Sequence, residues 1–136
     1  MADELRIAVV GAHLDGQPLN HQLTDRGARL VERTTTAPRY RLYALETDPP
    51  KPGLVRVDAS DRGAAAIEVE VWALAPEAFA SFVDAIPAPL VIGRVALADG
   101  TDVAGFLCEP IAIDGAVEIT ACGGWRAYRS SLDERR

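Results

Sequence analysis

Six consecutive residues, Ile67-Glu68-Val69-Glu70-Val71-Trp72, alternate strictly between apolar and acidic or amphipathic side chains. A period of two is the signature of a β-strand with one face buried. A chain carrying this run must therefore build a sheet around it. Ile67, Val69 and Val71 share one face, and Glu68, Glu70 and Trp72 share the other. Burying an unpaired carboxylate is costly, so both glutamates are expected to face outward. The alternative is a buried acid inside a barrel, if that face points inward.

Other segments extend the pattern. Leu5 to Val10 is apolar and β-branched and stops at Gly11, which reads as a central strand entering a tight loop. Pro18, Leu19, Leu23 and Gly27 outline a short helix over 18–26, capped at Gly27 and lying across the mouth of the sheet. Arg29 to Thr36 and Arg39 to Leu45 are two further extended runs, split by Pro38. Asp48-Pro49-Pro50-Lys51-Pro52-Gly53 reads as a rigid loop of the kind that suits a binding site. Pro76, Phe79, Phe82, Val83 and Ile86 mark an amphipathic helix that ends before Pro87 and covers the sheet. Leu90 to Leu97 and Val103 to Cys108 flank Asp99-Gly100, a favoured hairpin turn. Trp125, Tyr128 and Leu132 fit a terminal helix. Several strands with three short helical patterns predict an α+β fold around a curved mixed sheet or barrel. The expected organisation is one domain over residues 1–132, with 133–136 as a frayed tail.

Composition narrows the functions. The 136 residues carry a net charge of −6, which opposes non-specific attraction to nucleic acid, and no clustered cationic face is evident. No apolar run approaches the roughly 18 residues that cross a membrane. The N-terminal residues Met1 to Glu4 are acidic and lack a signal peptide's basic and apolar regions, so a cytoplasmic address is expected. Cys108 and Cys122 have no metal-ligand spacing and are expected as buried free thiols, with neither metal nor cofactor implied.

Three long stretches then stand out: Val10 to Leu14 running through Pro18 to Leu23, Ala37 to Leu45 with Pro50 to Leu54, and Gly123 to Tyr128. Together with Glu68 to Leu74, Ile86 to Leu90 and Gly105 to Glu109 they resemble the C-terminal domain of allophanate hydrolases, over nearly the whole chain. The resemblance implies a γ-glutamylcyclotransferase-like mixed β-barrel with a few short helices. It also implies a role in urea or allophanate degradation, in which N-carboxycarbamate left by an amidase is broken down to ammonia and carbon dioxide. In the wider superfamily the turn after the first strand reads tyrosine-glycine-serine-leucine, whereas the matching positions here are Val10, Gly11, Ala12-His13 and Leu14. The superfamily's catalytic glutamate has no counterpart in Val83 to Pro89, which argues against cyclotransferase chemistry. The glycine-serine-rich segment of the amidase half is missing too, so amide hydrolysis by this chain alone is not expected.

A small dianion that must lose carbon dioxide needs an acid for its nitrogen and cationic or N–H groups for its carboxylates. His13 is the candidate acid, on an unperturbed imidazole pKa near ~6.5. Backbone N–H groups of Gly11, Ala12, His13 and Leu14 are candidates for an anion nest, with Gly11 releasing the turn to bend. Lys51, held between prolines with Pro52 and Gly53 beside it, is the candidate cation, and Tyr43 a candidate hydrogen-bonding partner. Asn20 and His21 are placed to brace the loop, His21 more as a solvated helix residue, and Arg126 to anchor the terminal helix. For each there is a plainer role: a packed histidine, a solvated lysine, a core tyrosine. The expected partners are a small dicarboxylate-like substrate and a separate amidase. The competing functions are a decarboxylase, a non-catalytic module docked on that amidase, and a cyclotransferase-like lyase.

Overall fold

The computed structural model describes residues 3–134. The alternating segment lies in β5 (Glu68–Leu74), flanked on both sides in a five-stranded sheet. Its antiparallel neighbours are β1 (Leu5–Val9) and β2 (Arg29–Thr35). Beyond β1 the sheet continues through β7 (Asp102–Cys108), parallel to β1, and β6 (Leu90–Ala96), antiparallel to β7. The β6–β7 hairpin turns at Gly100, whose φ of 89° suits glycine as the sequence predicts.

A second sheet of three strands holds β4 (Lys51–Arg56), β3 (Tyr40–Leu45) and the short β8 (Val117–Glu118), in that order. The two sheets meet where Gly53 packs on Cys108, so closely that a Cβ at Gly53 would sit 2.8 Å from the thiol sulfur. The outer strands of the large sheet curl until they touch at one end. There Thr36 bridges Leu97, Ala37 N–H donates to Ala96 at 2.9 Å, and Ala98 N–H to Thr35 at 3.0 Å. The fold is α+β as expected, and the barrel is open rather than one closed ladder: the large sheet curls on itself at this corner, and the small sheet packs on it at Gly53.

Three helices complete it: α1 (His21–Thr24), α2 (Pro76–Asp84) and α3 (Trp125–Glu134). α1 is one turn where nine helical residues are expected over 18–26, because 11–20 wind through successive turns instead. Gly27, at φ 75°, does end it. α3 runs through Asp133 and Glu134, two residues of the expected frayed tail; Arg135 and Arg136 lie outside the described residues.

Three expectations are corrected. Lys51, Pro52 and Gly53 are not loop residues but the buried start of β4, because Lys51 to Arg56 pair antiparallel with Leu45 to Tyr40. Cys122 is exposed, and Cys108 is half-buried. Glu70 does not face solvent: its side chain is fully buried. Arg126 of α3 meets it at 2.8 Å and Arg33 at 3.2 Å, the Asp15 N–H donates to it at 2.8 Å, and Trp72 Nε1 at 3.2 Å. A buried carboxylate with two cations and two neutral donors is compensated, which removes the penalty that assigned it to the surface. Burial alone would raise its pKa, but these partners, led by the Asp15 N–H and Arg126, hold it below the usual carboxylate range. Glu68 on the same face is partly exposed and pairs with Arg126 at 3.3 Å.

Candidate functional site

The site grows from the end of β1. The chain leaves the sheet at Val10 and turns through Gly11 to Leu14, all five residues being buried. The Leu14 N–H closes the turn on Gly11 O at 3.0 Å. Gly11 is required for a reason the sequence did not suggest. Its φ is not positive, but a Cβ there would overlap the Pro52 ring, so only glycine lets β1 and β4 approach this closely. The N–H groups of Gly11, Ala12 and His13 meet no acceptor among the described residues. The turn thus leaves three backbone donors without a protein acceptor among the described residues, while Leu14 N–H is spent and its side chain lies in the core.

His13 is 4% exposed and sits between two phenylalanines, with ring centroids 5.2 Å from Phe82 of α2 and 5.0 Å from Phe106 of β7. Its Nε2 is 2.8 Å from Gln22 Oε1 of α1. Asn20 Nδ2 donates to His13 O at 2.8 Å, bracing the turn. His21 is exposed, with Nδ1 3.0 Å from Pro18 O. Lys51 is 6% exposed, and no carboxylate among the described residues lies within ion-pair reach of it. Every fully enclosed side-chain nitrogen or oxygen that the structure describes has a hydrogen-bond partner. His13 Nδ1 and Lys51 Nζ have none, so neither atom is fully enclosed.

There are two adjoining cavities, and His13 and Lys51 line both. One is a pit of about 10 Å³ beneath Gly11 and Ala12, closed by Pro52, Leu90 and Phe106. It has room for about one water-sized group. The other, of about 200 Å³, runs toward Gln22, Asp48, Pro49 and the Ala85-Ile86-Pro87 segment after α2. Asp48 is the one carboxylate among its lining residues and stands at the exposed mouth.

Burial and the positive charge of Lys51 carry the His13 pKa down to about 4, the Gln22 hydrogen bond opposing them only in part. The imidazole is therefore neutral at neutral pH. This corrects the expectation of an ordinary titration near ~6.5, which assumed a solvated ring.

Of the residues singled out from sequence, Gly11, Ala12, His13, Lys51 and Pro52 come together here, with Asn20 behind them. Two do not. Tyr43 lies on the Arg41 face of β3, beside Glu118 across the strand pair, and lines neither cavity. Gly53 is packed against Cys108 and Leu45. Both were placed here in or beside a loop that is in fact a strand; Tyr43 pairs with Gly53 and Lys51 with Leu45, so all share one sheet face, and position along the strands keeps Tyr43 and Gly53 out of the cavities. Sequence reasoning missed Gln22, Phe82, Phe106 and Asp48. Gln22 was within reach, because it lies three residues after Leu19 on the face already assigned inward.

The open two-sheet architecture, with a buried histidine and an unpaired lysine where the first strand ends, defines a small α+β protein of γ-glutamylcyclotransferase-like fold. The chain belongs to the allophanate hydrolase C-terminal domain family, whose model matches residues 5–130. It is 41% identical over 135 residues to a urea amidolyase of Saccharomyces cerevisiae, covering 96% of this chain and 7% of that protein. A structure of Kluyveromyces lactis allophanate hydrolase superposes with a TM-score of 0.90 at 38% identity, over 96% of this chain and 22% of that one. The c4763 protein of uropathogenic Escherichia coli superposes at 0.84 with 35% identity, over 93% of this chain and 96% of its own. The chain thus spans less than a tenth of the curated relative's length.

Proposed function

We propose that the His13–Lys51 pocket binds a small dianionic N-carboxy acid and that the protein speeds carbon dioxide loss from N-carboxycarbamate or a related compound. The observation that carries this reading is a buried lysine without a carboxylate partner, opening with a neutral imidazole onto one small cavity. An unpaired buried ammonium is expensive, and an anionic ligand supplies the missing charge. The free N–H groups of Gly11, Ala12 and His13 and the Lys51 ammonium serve the carboxylates. The dianion offsets the burial and the Lys51 field, so His13 takes up a proton from solvent as the ligand binds. The C–N bond to one carboxylate then breaks with its electron pair moving to nitrogen, which receives the His13 proton. Carbon dioxide and carbamate leave, and carbamate with a second proton falls to ammonia and carbon dioxide.

Adding the protein to an amidase that produces N-carboxycarbamate should accelerate carbon dioxide release, with His13→Ala abolishing the gain and Lys51→Met raising KM. A rate no faster than the spontaneous one would rule the activity out. Purification bound to an amidase would then favour the second reading, a docked accessory module. In the K. lactis structure the matching region is about a fifth of a longer chain, which supports that alternative. Cyclotransferase chemistry is disfavoured, since Ala85, Ile86 and Pro87 bring no carboxylate to the cavity. We place the reaction in the cytoplasm, where an exposed free thiol such as Cys122 stays reduced.

A further inference from the structure

The hydrogen bond between Gln22 and His13 does more than fill space. A glutamine carbonyl oxygen only accepts, so with Gln22 Oε1 2.8 Å from Nε2, that nitrogen must carry the hydrogen. The neutral ring is then the Nε2–H tautomer, and its lone pair lies on Nδ1, the ring nitrogen that is without a protein partner and not fully enclosed, in a residue that lines both cavities. Both rings packed against the imidazole, Phe82 and Phe106, are apolar and offer no competing partner.

We propose that Gln22 is the positioning residue of this site: it fixes His13 in one tautomer, so that proton uptake and release occur at Nδ1, facing the ligand. This rests on the decarboxylation reading for its use but not for its geometry. The charged and titratable groups around His13 are few. Lys51 of β4 and His21 of α1 disfavour a second proton, Asp48 stands at the cavity mouth, and Arg26 lies over the far side of Phe82 with its guanidinium carbon 5.9 Å from the ring centroid. None of them meets either ring nitrogen by hydrogen bond. Gln22 alone therefore decides which nitrogen is free. Without it the two tautomers would be closer in energy, and a part of the molecules would rest with the hydrogen on Nδ1 and take up the second proton at Nε2, away from the ligand.

The arrangement predicts a linkage. In the resting protein Nδ1 is bare at neutral pH, and a dianion entering beside Lys51 favours its protonation, so binding should draw one proton from solvent. A ligand of the same shape with a single negative charge should draw less.

The test is nitrogen-15 NMR of imidazole-labelled protein, with malonate as the unreactive dianion. In the wild type the His13 ring should show the Nε2–H pattern at pH 7, and saturating malonate should raise its titration midpoint by at least about one unit, protonating Nδ1. Gln22→Met, of similar size but without the acceptor, should give mixed tautomers while the unfolding midpoint shows the domain still folded. Gln22→Glu should restore the single pattern, since a carboxylate also accepts from Nε2–H, and should raise the midpoint without malonate. In the coupled assay Gln22→Met should lower kcat by about tenfold or more with KM little changed, because the imidazolium that supplies the proton loses the acceptor for its Nε2–H. An Nδ1–H pattern in the wild type, or an unchanged Nε2–H pattern in Gln22→Met, would overturn the proposal. Failure of decarboxylation alone would leave the ring pattern standing, so the two ideas fail separately.

Discussion

His13 shows how much one residue depends on what surrounds it. Its folded pKa of about 4 lies below the unfolded value of 6.5, so the unfolded chain binds a proton that the folded site refuses. Stability from this group is complete above pH 6.5 and is lost as pH falls toward 4, by on the order of 3 kcal/mol. Urea titrations across that window should show the decline, and His13→Asn should flatten it whatever its effect on absolute stability. A variant as steep as the wild type would refute the assignment. Residue types at this site were legible in the sequence: the histidine in the glycine turn and the lysine among prolines were both singled out. Their environments were not, because burial comes from Phe82, Phe106 and Pro52, which approach from distant segments.

Among elements, the most informative contact is α3 on β5. Helix docking here combines the buried Trp125 with Arg126, which reaches Glu70, Glu68 and the Asp15 carbonyl at 2.7 Å. The Gly123-Gly124 pair permits it: Gly123 turns at φ 80°, and a Cβ on Gly124 would come within 2.8 Å of the Glu68 Cβ. Arg126→Met should cost about 2 kcal/mol at neutral pH by leaving Glu70 under-compensated, less than for a fully enclosed pair because Arg33 remains and Arg126 is partly solvated. The Glu70 contribution is present above its unfolded pKa and fades as pH falls through the lower folded one. The cost of Arg126→Met should therefore shrink in strong acid, as paired urea curves at pH 7 and pH 3 can check. The strand itself was readable from its alternation, but period two cannot say what covers the second face. That information sits more than fifty residues downstream, in a helix whose arginine read as an anchor but gave no sign of which strand it would reach.

At the level of the whole molecule, element types and the α+β class were legible because strands and the Asp99-Gly100 turn are local signals. The two-sheet arrangement and the corner at Thr36 and Leu97 were not, since they depend on pairing between segments some sixty residues apart. The same holds for β4. Its prolines read as a loop, yet Pro52 sits in an edge strand, the one place in a sheet where the missing N–H is tolerated.

His13 hangs from the five-stranded sheet and Lys51 from the three-stranded one, with Pro52 wedged against Gly11 between them. An anion gripped by both would act as a rivet through two plates that are otherwise held by packing and by the hydrogen bond from Ala96 N–H to the Tyr40 hydroxyl at 2.9 Å. Amide exchange should slow through the length of Tyr40–Leu45 and Lys51–Arg56 when malonate is added, beyond the Lys51 contact itself, and should not slow in Lys51→Met. If protection rose only in the turn at Gly11 to Leu14, the plates would be shown to hold fast without their fastener.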